Sequence, residues 1–92
     1  MTKIKISQLV WDSWNKEHIK KHNVTVIEVE KAILHVKTHR IVKNGRILLI
    51  GRINDRILSV IIAQEENNTY YIVTARDAAK KERRQFYEKE NK

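Results

Sequence analysis

The residues with the clearest chemical potential lie at positions 74–87, where the sequence is TARDAAKKERRQFY. An apolar run that is predicted to be a strand ends at Arg76, and a predicted helix follows it. The helix carries four further cations and an aromatic pair, namely Lys80, Lys81, Arg83, Arg84, Phe86 and Tyr87. Cationic groups attract phosphates and aromatic rings stack on bases, so this segment has the chemistry of a nucleic-acid contact.

The composition indicates a polyanionic partner for the chain as a whole. Lysine and arginine number 19 against 11 acidic residues, which gives a formal net charge of +8. Such a charge favours nucleic acid or an acidic protein as the partner. A general lysine-rich bias would give the same total, but it would not place five basic residues against two acidic ones at positions 76–84. Part of the excess charge is therefore local.

Several classes of site lack the residues that they need. The chain has no cysteine, so disulfides and thiolate metal sites are excluded. Gly45 and Gly51 stand alone, and there is neither a glycine-rich phosphate loop nor a G-x-S-x-G nucleophile motif. The pairs His18–His22 and His35–His39 have the i, i+4 spacing of a helical metal site, but no third ligand is evident. We therefore expect no metal and no cofactor.

If the protein is an enzyme, metal-free cleavage of RNA fits the residues that remain. The 2′-hydroxyl of the RNA is then the nucleophile, and the protein supplies a base, cations for the phosphate and an acid for the leaving 5′-oxygen. Side chains of suitable type are His22, Glu65, Arg76, Arg84 and Tyr87. Ordinary roles stay open as well: Arg76 can tie the strand end to the helix or pair with Asp77 or Glu65. Glu65 can also be a solvated hairpin residue.

The length of 92 residues predicts a single small domain, 1–92, with a modest core. The first residues include lysines but no long apolar run or small-residue cleavage site, so we expect no secretory signal. No stretch approaches the roughly 20 apolar residues of a membrane span. The expectation is an intracellular, cytoplasmic protein without membrane association.

The strands that must position these residues are predicted from turn signals. Polar breaks at Asn44-Gly45, Asn54-Asp55 and Asn67-Asn68 separate apolar runs. The runs predict four strands, at about 38–43, 46–53, 56–64 and 69–75, with a further short strand possible at 3–10. Close breaks in succession predict an antiparallel meander.

Helices are predicted before and after the meander. Thr25 and Glu28 fit a capping box at the start of one helix, and Asp12 can cap a shorter helix at about 13–21. A final helix is predicted at about 77–90. The order predicts an α+β domain in which helices cover one face of a four-stranded antiparallel sheet and leave the other face open. The aromatic residues expected in the core are Trp11, Trp14 and Phe86.

In combination, these motifs resemble the BrnT family, the ribonuclease toxins of bacterial toxin–antitoxin operons. The family shows W-D-x-x-K or N, then K-H-G-V-S or T, later I-S-A-R, and then E-R-R-x-Y. The matching pieces span about residues 10–88 and are Trp11-Asp12 with Asn15; Lys20 through Thr25 with Glu28; Arg46 through Gly51; Thr74-Ala75-Arg76; and Glu82 through Phe86. No single piece is specific, whereas their order and spacing together are.

The resemblance implies a RelE-like fold and an RNA-cleaving toxin of a type II toxin–antitoxin system that inhibits translation. It also implies neutralisation by a separately encoded antitoxin, with operator DNA bound only through the antitoxin complex. The implied active-site region consists of Lys21, His22, Glu65, Arg76, Arg83, Arg84 and Tyr87. Within it, we predict Arg76 as the phosphate-stabilising cation and Glu65 or His22 as the base. The helix residues expected to bind RNA are Lys80, Lys81 and Arg83.

The sequence departs from the family pattern at four positions. Asn23 replaces the glycine of the K-H-G turn, a mild change because asparagine tolerates the left-handed conformation. Ala63 stands where the family has a histidine, and Glu66 stands where it has an arginine. The aromatic residue of the helix motif is Phe86, and the tyrosine hydroxyl comes one position later, at Tyr87. Loss of one cation weakens transition-state stabilisation by about 2–4 kcal/mol, by analogy with an oxyanion donor. A non-catalytic RNA- or protein-binding module of the same fold is therefore the alternative function.

Overall fold

The structure, a computed structural model, describes residues 4–90. The elements in chain order are β1 (Gln8–Val10), α1 (Ser13–Lys20), α2 (Val26–Ile33), β2 (Val36–Ile41), β3 (Ile47–Ile53), β4 (Arg56–Glu66), β5 (Thr69–Asp77) and α3 (Lys80–Glu90). The strands form one sheet in the order β1-β5-β4-β3-β2, and β2 to β5 pair antiparallel in sequence order. The predicted α+β class and meander are confirmed. None of these helices has the length and apolar character needed to cross a membrane.

The sheet has one strand more than the four predicted. β1 pairs in parallel with β5, so that Gln8 lies opposite Thr69 and Val10 opposite Tyr71. The backbone N–H groups of Ser7 and Gln8 donate to the carbonyl oxygen of Asn68, at 2.7 and 3.2 Å. Three residues are too few to show an alternating pattern, so this strand depends on its pairing with β5 rather than on a local signal. Residue 3, where the possible strand at 3–10 was predicted to begin, lies outside the described residues.

Asparagine takes the place of glycine at the turns of this proline-free chain. Asn23, Asn44, Asn54 and Asn68 all have positive φ, between 52° and 64°. Asparagine adopts this left-handed backbone more readily than other non-glycine residues. Between β2 and β3, Asn44 and Gly45 reverse the chain within a short 3₁₀ turn rather than a two-residue hairpin loop.

Both N-terminal helices begin at the predicted caps. The Thr25 hydroxyl accepts the N–H of Glu28 at 3.1 Å, and the Glu28 carboxylate accepts the N–H of Thr25 at 2.9 Å. Asp12 and Asn15 exchange the equivalent pair of hydrogen bonds at the start of α1. α2 ends before His35 because the β-branched residues that follow form β2, so the His35–His39 spacing does not lie on a helix.

Helices cover both faces of the sheet, which corrects the prediction that one face is open. α1 and α2 pack on one face, where the larger core cluster includes Ile19, Val29, Leu49, Leu58, Val60, Ile62 and Ile72. α3 lies on the opposite face, with Phe86 fully buried against Leu48, Ile50 and Ile57. Hydrophobic periodicity shows which side of a helix is apolar but not which face of a sheet it covers. Here α3 follows β5 after only Ala78 and Ala79 and packs on the face that carries Leu48 and Ile50.

Among the aromatic residues expected in the core, the prediction is confirmed for Phe86 and wrong for Trp14. Trp14 is 82% exposed, because Asn15 and Ile19 occupy the inward side of α1. Trp11 is partly buried and packs against the larger core cluster.

Candidate functional site

The junction between β5 and α3 is held by the side chain of Glu82. The N–H of Ala78 donates to the carbonyl oxygen of Ile57 at 2.9 Å, which carries the pairing of β4 and β5 past the end of the strand. One turn later, the carboxylate oxygen Oε1 of Glu82 accepts the N–H of Ala79 at 2.8 Å. This bond satisfies a backbone donor that the helix itself leaves free. The direction in which α3 leaves the sheet is therefore set by Glu82.

Arg76 is bound to the same carboxylate. Its Nη1 and Nη2 atoms donate to Oε1 and Oε2 of Glu82 at 2.9 and 3.1 Å. The Ser59 hydroxyl, opposite Arg76 on β4, donates to Oε1 at 2.7 Å. Ser59 and Glu82 are buried, whereas the Arg76 side chain is 39% exposed. The cluster of Ser59, Arg76 and Glu82 thus joins a buried anchor to a cation that faces solvent.

The ionisation of Glu82 reflects these contacts. Burial alone would raise the pKa of this carboxyl, but the hydrogen bonds from Arg76, Ala79 and Ser59 outweigh it and lower the pKa to about 2. Glu82 is therefore a carboxylate at any physiological pH, and its charge is matched by that of Arg76. Neither Glu82 nor Ser59 was predicted as a functional residue. The sequence signals for Glu82 were its place in the E-R-R motif and its position in the first turn of a helix.

A second ion-pair network ties α2 to the same end of the sheet. Arg56, the first residue of β4, donates from Nε to Asp77 at 2.6 Å and from Nη1 to Glu28 at 2.9 Å. The pKa of Asp77 is lowered mainly by the bond from Arg56. The pKa of Glu28 is lowered first by the Thr25 backbone and then by Arg56. The end of β5 and the start of α2 are thereby fixed relative to each other.

A cavity of about 620 Å³ lies at this end of the sheet, between α2 and α3. Its lining includes the carboxylates of Glu28, Asp55 and Asp77 and the side chains of Arg56, Arg83 and Tyr87. Tyr87 is 45% exposed, and its ring lies 5.9 Å from the guanidinium of Arg52. The three carboxylates outnumber the two guanidinium groups of this lining, and Arg56 is already paired with two of them. Arg83 and Tyr87 are therefore the groups of this lining with the chemistry to contact an anionic, aromatic ligand.

The basic residues of α3 extend this surface. Lys80, Lys81, Arg83 and Arg84 are all exposed. A shallower cavity of about 380 Å³ is lined by Lys80, Arg83, Arg84, Tyr87 and Glu88. Lys80, Arg84 and Tyr87 share one side of α3 by their i, i+4 and i+3 spacing, and Arg83 lines the same cavity from the adjoining side. Lys81 lies on α3 without lining either cavity.

Lys21 and His22 lie in the turn between α1 and α2, on the side of the sheet opposite α3. Both are exposed, and no hydrogen bond or ion pair within residues 4–90 joins either of them to Arg76. His22 lies three residues before the α2 cap Thr25. The His18 and His22 rings are 5.4 Å apart, and the described residues bring no third metal-ligating side chain to them.

Glu65 lies at the other end of the sheet. Ser59 is the β4 partner of Arg76, and Glu65 follows it by six residues. At about 3.3 Å per residue, the two positions are roughly 20 Å apart along the strand. Glu65 is exposed near Tyr71, whose hydroxyl donates to both carboxylate oxygens of Asp12 at 3.1 Å. Burial and the Asp12 carboxylate raise the pKa of Tyr71. The structure thus brings Arg83, Arg84 and Tyr87 together around α3, but not Glu65 with Arg76.

Comparison with known proteins identifies the fold. No protein-family model matches the sequence, and no curated protein matches it at the sequence level. Among solved structures, the chain is similar to the crystal structure of BrnT, a ribonuclease toxin of Brucella abortus, with a TM-score of 0.65 and 21% sequence identity. The similarity covers 79% of this chain and 97% of BrnT. The chain therefore has the fold of this ribonuclease toxin, as the resemblance in its motifs predicted.

Proposed function

We propose that the protein is a metal-independent endoribonuclease toxin of the BrnT kind. The observation that carries the proposal is the fold, which matches a ribonuclease toxin over 97% of that toxin's chain. The basic surface around α3 adds support, because it offers several cations and an aromatic ring where β5 ends. A partner that is both anionic and aromatic, such as RNA, fits this combination.

The cleavage step needs no group beyond the protein and the RNA. The 2′-oxygen loses its proton to a base and attacks the adjacent phosphorus, the bond from phosphorus to the 5′-oxygen breaks, and that oxygen takes up a proton. The products are a 2′,3′-cyclic phosphate and a 5′-hydroxyl end. Arg76 stabilises the charge on the phosphate, and Arg84 and Tyr87 stand on the adjoining helix. Lys80, Lys81 and Arg83 hold the flanking phosphates.

Of the two candidate bases we retain His22, which lies with Lys21 in the turn before α2, on the side of the sheet opposite α3. Glu65 lies roughly 20 Å away along β4, which is too far for one phosphodiester to contact both Glu65 and Arg76. For His22 to act as the base, the RNA must pass around the end of the sheet from α3 to the turn before α2.

The proposed biological setting is a toxin–antitoxin pair in the cytoplasm, where the RNA is. The antitoxin is separately encoded, and it is expected to be acidic because this chain carries a formal charge of +8. Binding to operator DNA belongs to the antitoxin complex and not to this protein alone.

The experiment is cleavage of RNA by the purified protein in the presence of EDTA, with analysis of the product ends. We expect 2′,3′-cyclic phosphate ends, loss of cleavage in Arg76→Ala, and a larger loss in His22→Ala than in Glu65→Ala. Lys31→Ala, which changes an exposed lysine of α2, is the control. Growth arrest on induced expression, abolished by Arg76→Ala, is the matching test in cells. Cleavage that persists in Arg76→Ala contradicts the assignment of the site.

A non-catalytic binding module of the same fold is the second candidate. It is favoured by Ala63 and Glu66, which stand where the resembled family has a histidine and an arginine. Ala63 lies opposite Tyr71 in the sheet and offers no polar group there. This candidate predicts tight, salt-dependent RNA binding without cleavage products. If RNA affinity is no higher than that of other proteins of equal charge, the partner is a protein.

A further inference from the structure

We propose that Glu82 is a positioning residue that presents one edge of the Arg76 guanidinium to a phosphodiester of the RNA. The inference rests on the proposed function and assigns a role to a residue that does not itself touch the substrate. The inference follows from which N–H groups of the Arg76 guanidinium donate to protein acceptors and which do not.

Three of the five N–H donors of Arg76 have partners among residues 4–90. Nη1 donates to Glu82 and to the carbonyl oxygen of Asp77, at 2.9 and 3.1 Å, and Nη2 donates once to Glu82 at 3.1 Å. The remaining donors are the Nε–H and the second N–H of Nη2. These two point the same way, along the side edge of the planar group. The side chain as a whole is 39% exposed, so the unused edge is assigned to the solvent-facing side of the guanidinium as part of the proposal.

The unused edge has the geometry of an oxyanion site. A phosphodiester offers two non-bridging oxygens, and two parallel N–H groups of an arginine bind such a pair of oxygens together. A lysine cannot reproduce this contact, because its ammonium group is a point charge. The ligand class is therefore a bidentate oxyanion, and in an RNA-cleaving site it is the scissile phosphodiester.

Glu82 is fixed firmly enough to orient Arg76. Its Oε1 atom accepts three hydrogen bonds, from Arg76, from Ser59 at 2.7 Å and from the Ala79 backbone at 2.8 Å. Its side chain is only 12% exposed. Most surface ion pairs join two mobile side chains, whereas here one partner is held by a strand and by a helix N-terminus. Arg76 therefore has one preferred orientation before the RNA arrives.

The test is steady-state cleavage of a short RNA oligonucleotide by Glu82→Gln. An amide keeps the size of the side chain but turns one oxygen into a donor, so one bond to Arg76 is lost. We expect kcat to fall about 10–100-fold while KM changes less than about threefold, as for a displaced catalytic group. In the Arg76→Lys background, the same substitution should lower kcat by less than about threefold, because there is no guanidinium edge left to orient.

Glu90→Gln is the matched control. Glu90 lies on the same helix as Glu82 and makes a comparable pair of hydrogen bonds, at 2.9 and 2.8 Å, with Arg52 of β3. Its kcat should stay within about twofold of the wild type. A cooperative thermal unfolding transition is measured for each variant to verify that it is folded. An unchanged kcat in Glu82→Gln, or effects of Glu82→Gln and Arg76→Lys that multiply, overturns the inference and leaves Glu82 a structural residue only.

Failure of the proposed function is recognised separately. If the wild type binds RNA without cleaving it, the NMR signal of the Arg76 Nε–H is followed during titration with a dinucleoside monophosphate. A shift in the wild type that is lost in Glu82→Gln supports the positioning role. Equal shifts in both proteins, or none in the wild type, overturn it.

Discussion

At the scale of single residues, Glu82 is expected to make the free energy of unfolding fall in acid. Its pKa lies at about 2 in the folded state against an ordinary value of 4.5, so folding favours the carboxylate form. The resulting stabilisation is fully present above pH 4.5 and is lost as the pH falls toward 2. From the difference in pKa it amounts to roughly 3 kcal/mol. We expect the wild type to lose this much more stability than Glu82→Gln between pH 5 and 2, measured by urea unfolding.

The matched control is Glu30→Gln, which alters an exposed carboxyl of α2. It should lose as much stability in acid as the wild type does. If Glu82→Gln also retains the full loss in acid, then the hydrogen bonds from Arg76, Ser59 and Ala79 do not stabilise the carboxylate.

The pairing of Arg76 with Glu82 shows why residue contacts are harder to predict than residue types. The sequence identified Arg76 as a strand-end cation and left open whether it ties the strand end to the helix or pairs with Asp77 or Glu65. Arg76 does contact Asp77, through the backbone carbonyl, but its ion pair is with Glu82. That pair forms across the reversal from β5 into α3, so it depends on the angle at which the helix leaves the sheet.

At the scale of elements, α2 and β3 approach so closely that one position tolerates no side chain. A Cβ atom added at Gly51 would lie 2.2 Å from the carbonyl oxygen of Ala32 in α2, which is a backbone atom that cannot turn away. We expect Gly51→Ala to cost about 3 kcal/mol or more in the free energy of unfolding, measured by denaturant titration. The cost arises because α2 must move away from the larger core cluster.

Gly45→Ala is the control at the other glycine. Gly45 has φ of +72° but nothing within 4 Å of an added Cβ. Its cost should be about 1–2 kcal/mol, from the backbone conformation alone. Equal costs at the two positions would mean that α2 can shift without loss of packing.

The parts of the fold that depend on local chemistry were predictable, and those that depend on docking were not. The caps at Asp12 and Thr25 lie where the sequence places them, because their hydrogen bonds span only three residues. By contrast, β1 and the face on which α3 packs depend on partners far away in the sequence. The same limit applies to the candidate site, because the contact between Arg76 and Glu82 depends on how α3 docks against the sheet.

At the scale of the whole molecule, the cations that make up the charge of +8 contribute unequally to RNA binding if the RNA lies along α3. Each phosphate that a cation neutralises releases counterions, so the logarithm of the binding constant falls with the logarithm of the salt concentration. For a single strand, each such contact contributes about 0.7 to the slope. Cations that touch the RNA determine this slope, whereas distant cations act only through the overall field.

Two substitutions that remove the same charge separate these contributions. Arg84→Gln removes a cation of α3, and Lys31→Gln removes one from α2 on the opposite face of the sheet. With a short single-stranded RNA titrated between about 50 and 200 mM salt, we expect Arg84→Gln to reduce the slope by about 0.7. Lys31→Gln should leave the slope unchanged and lower the affinity only slightly. Equal reductions in both variants would mean that the net charge attracts the RNA and that α3 is not its contact surface.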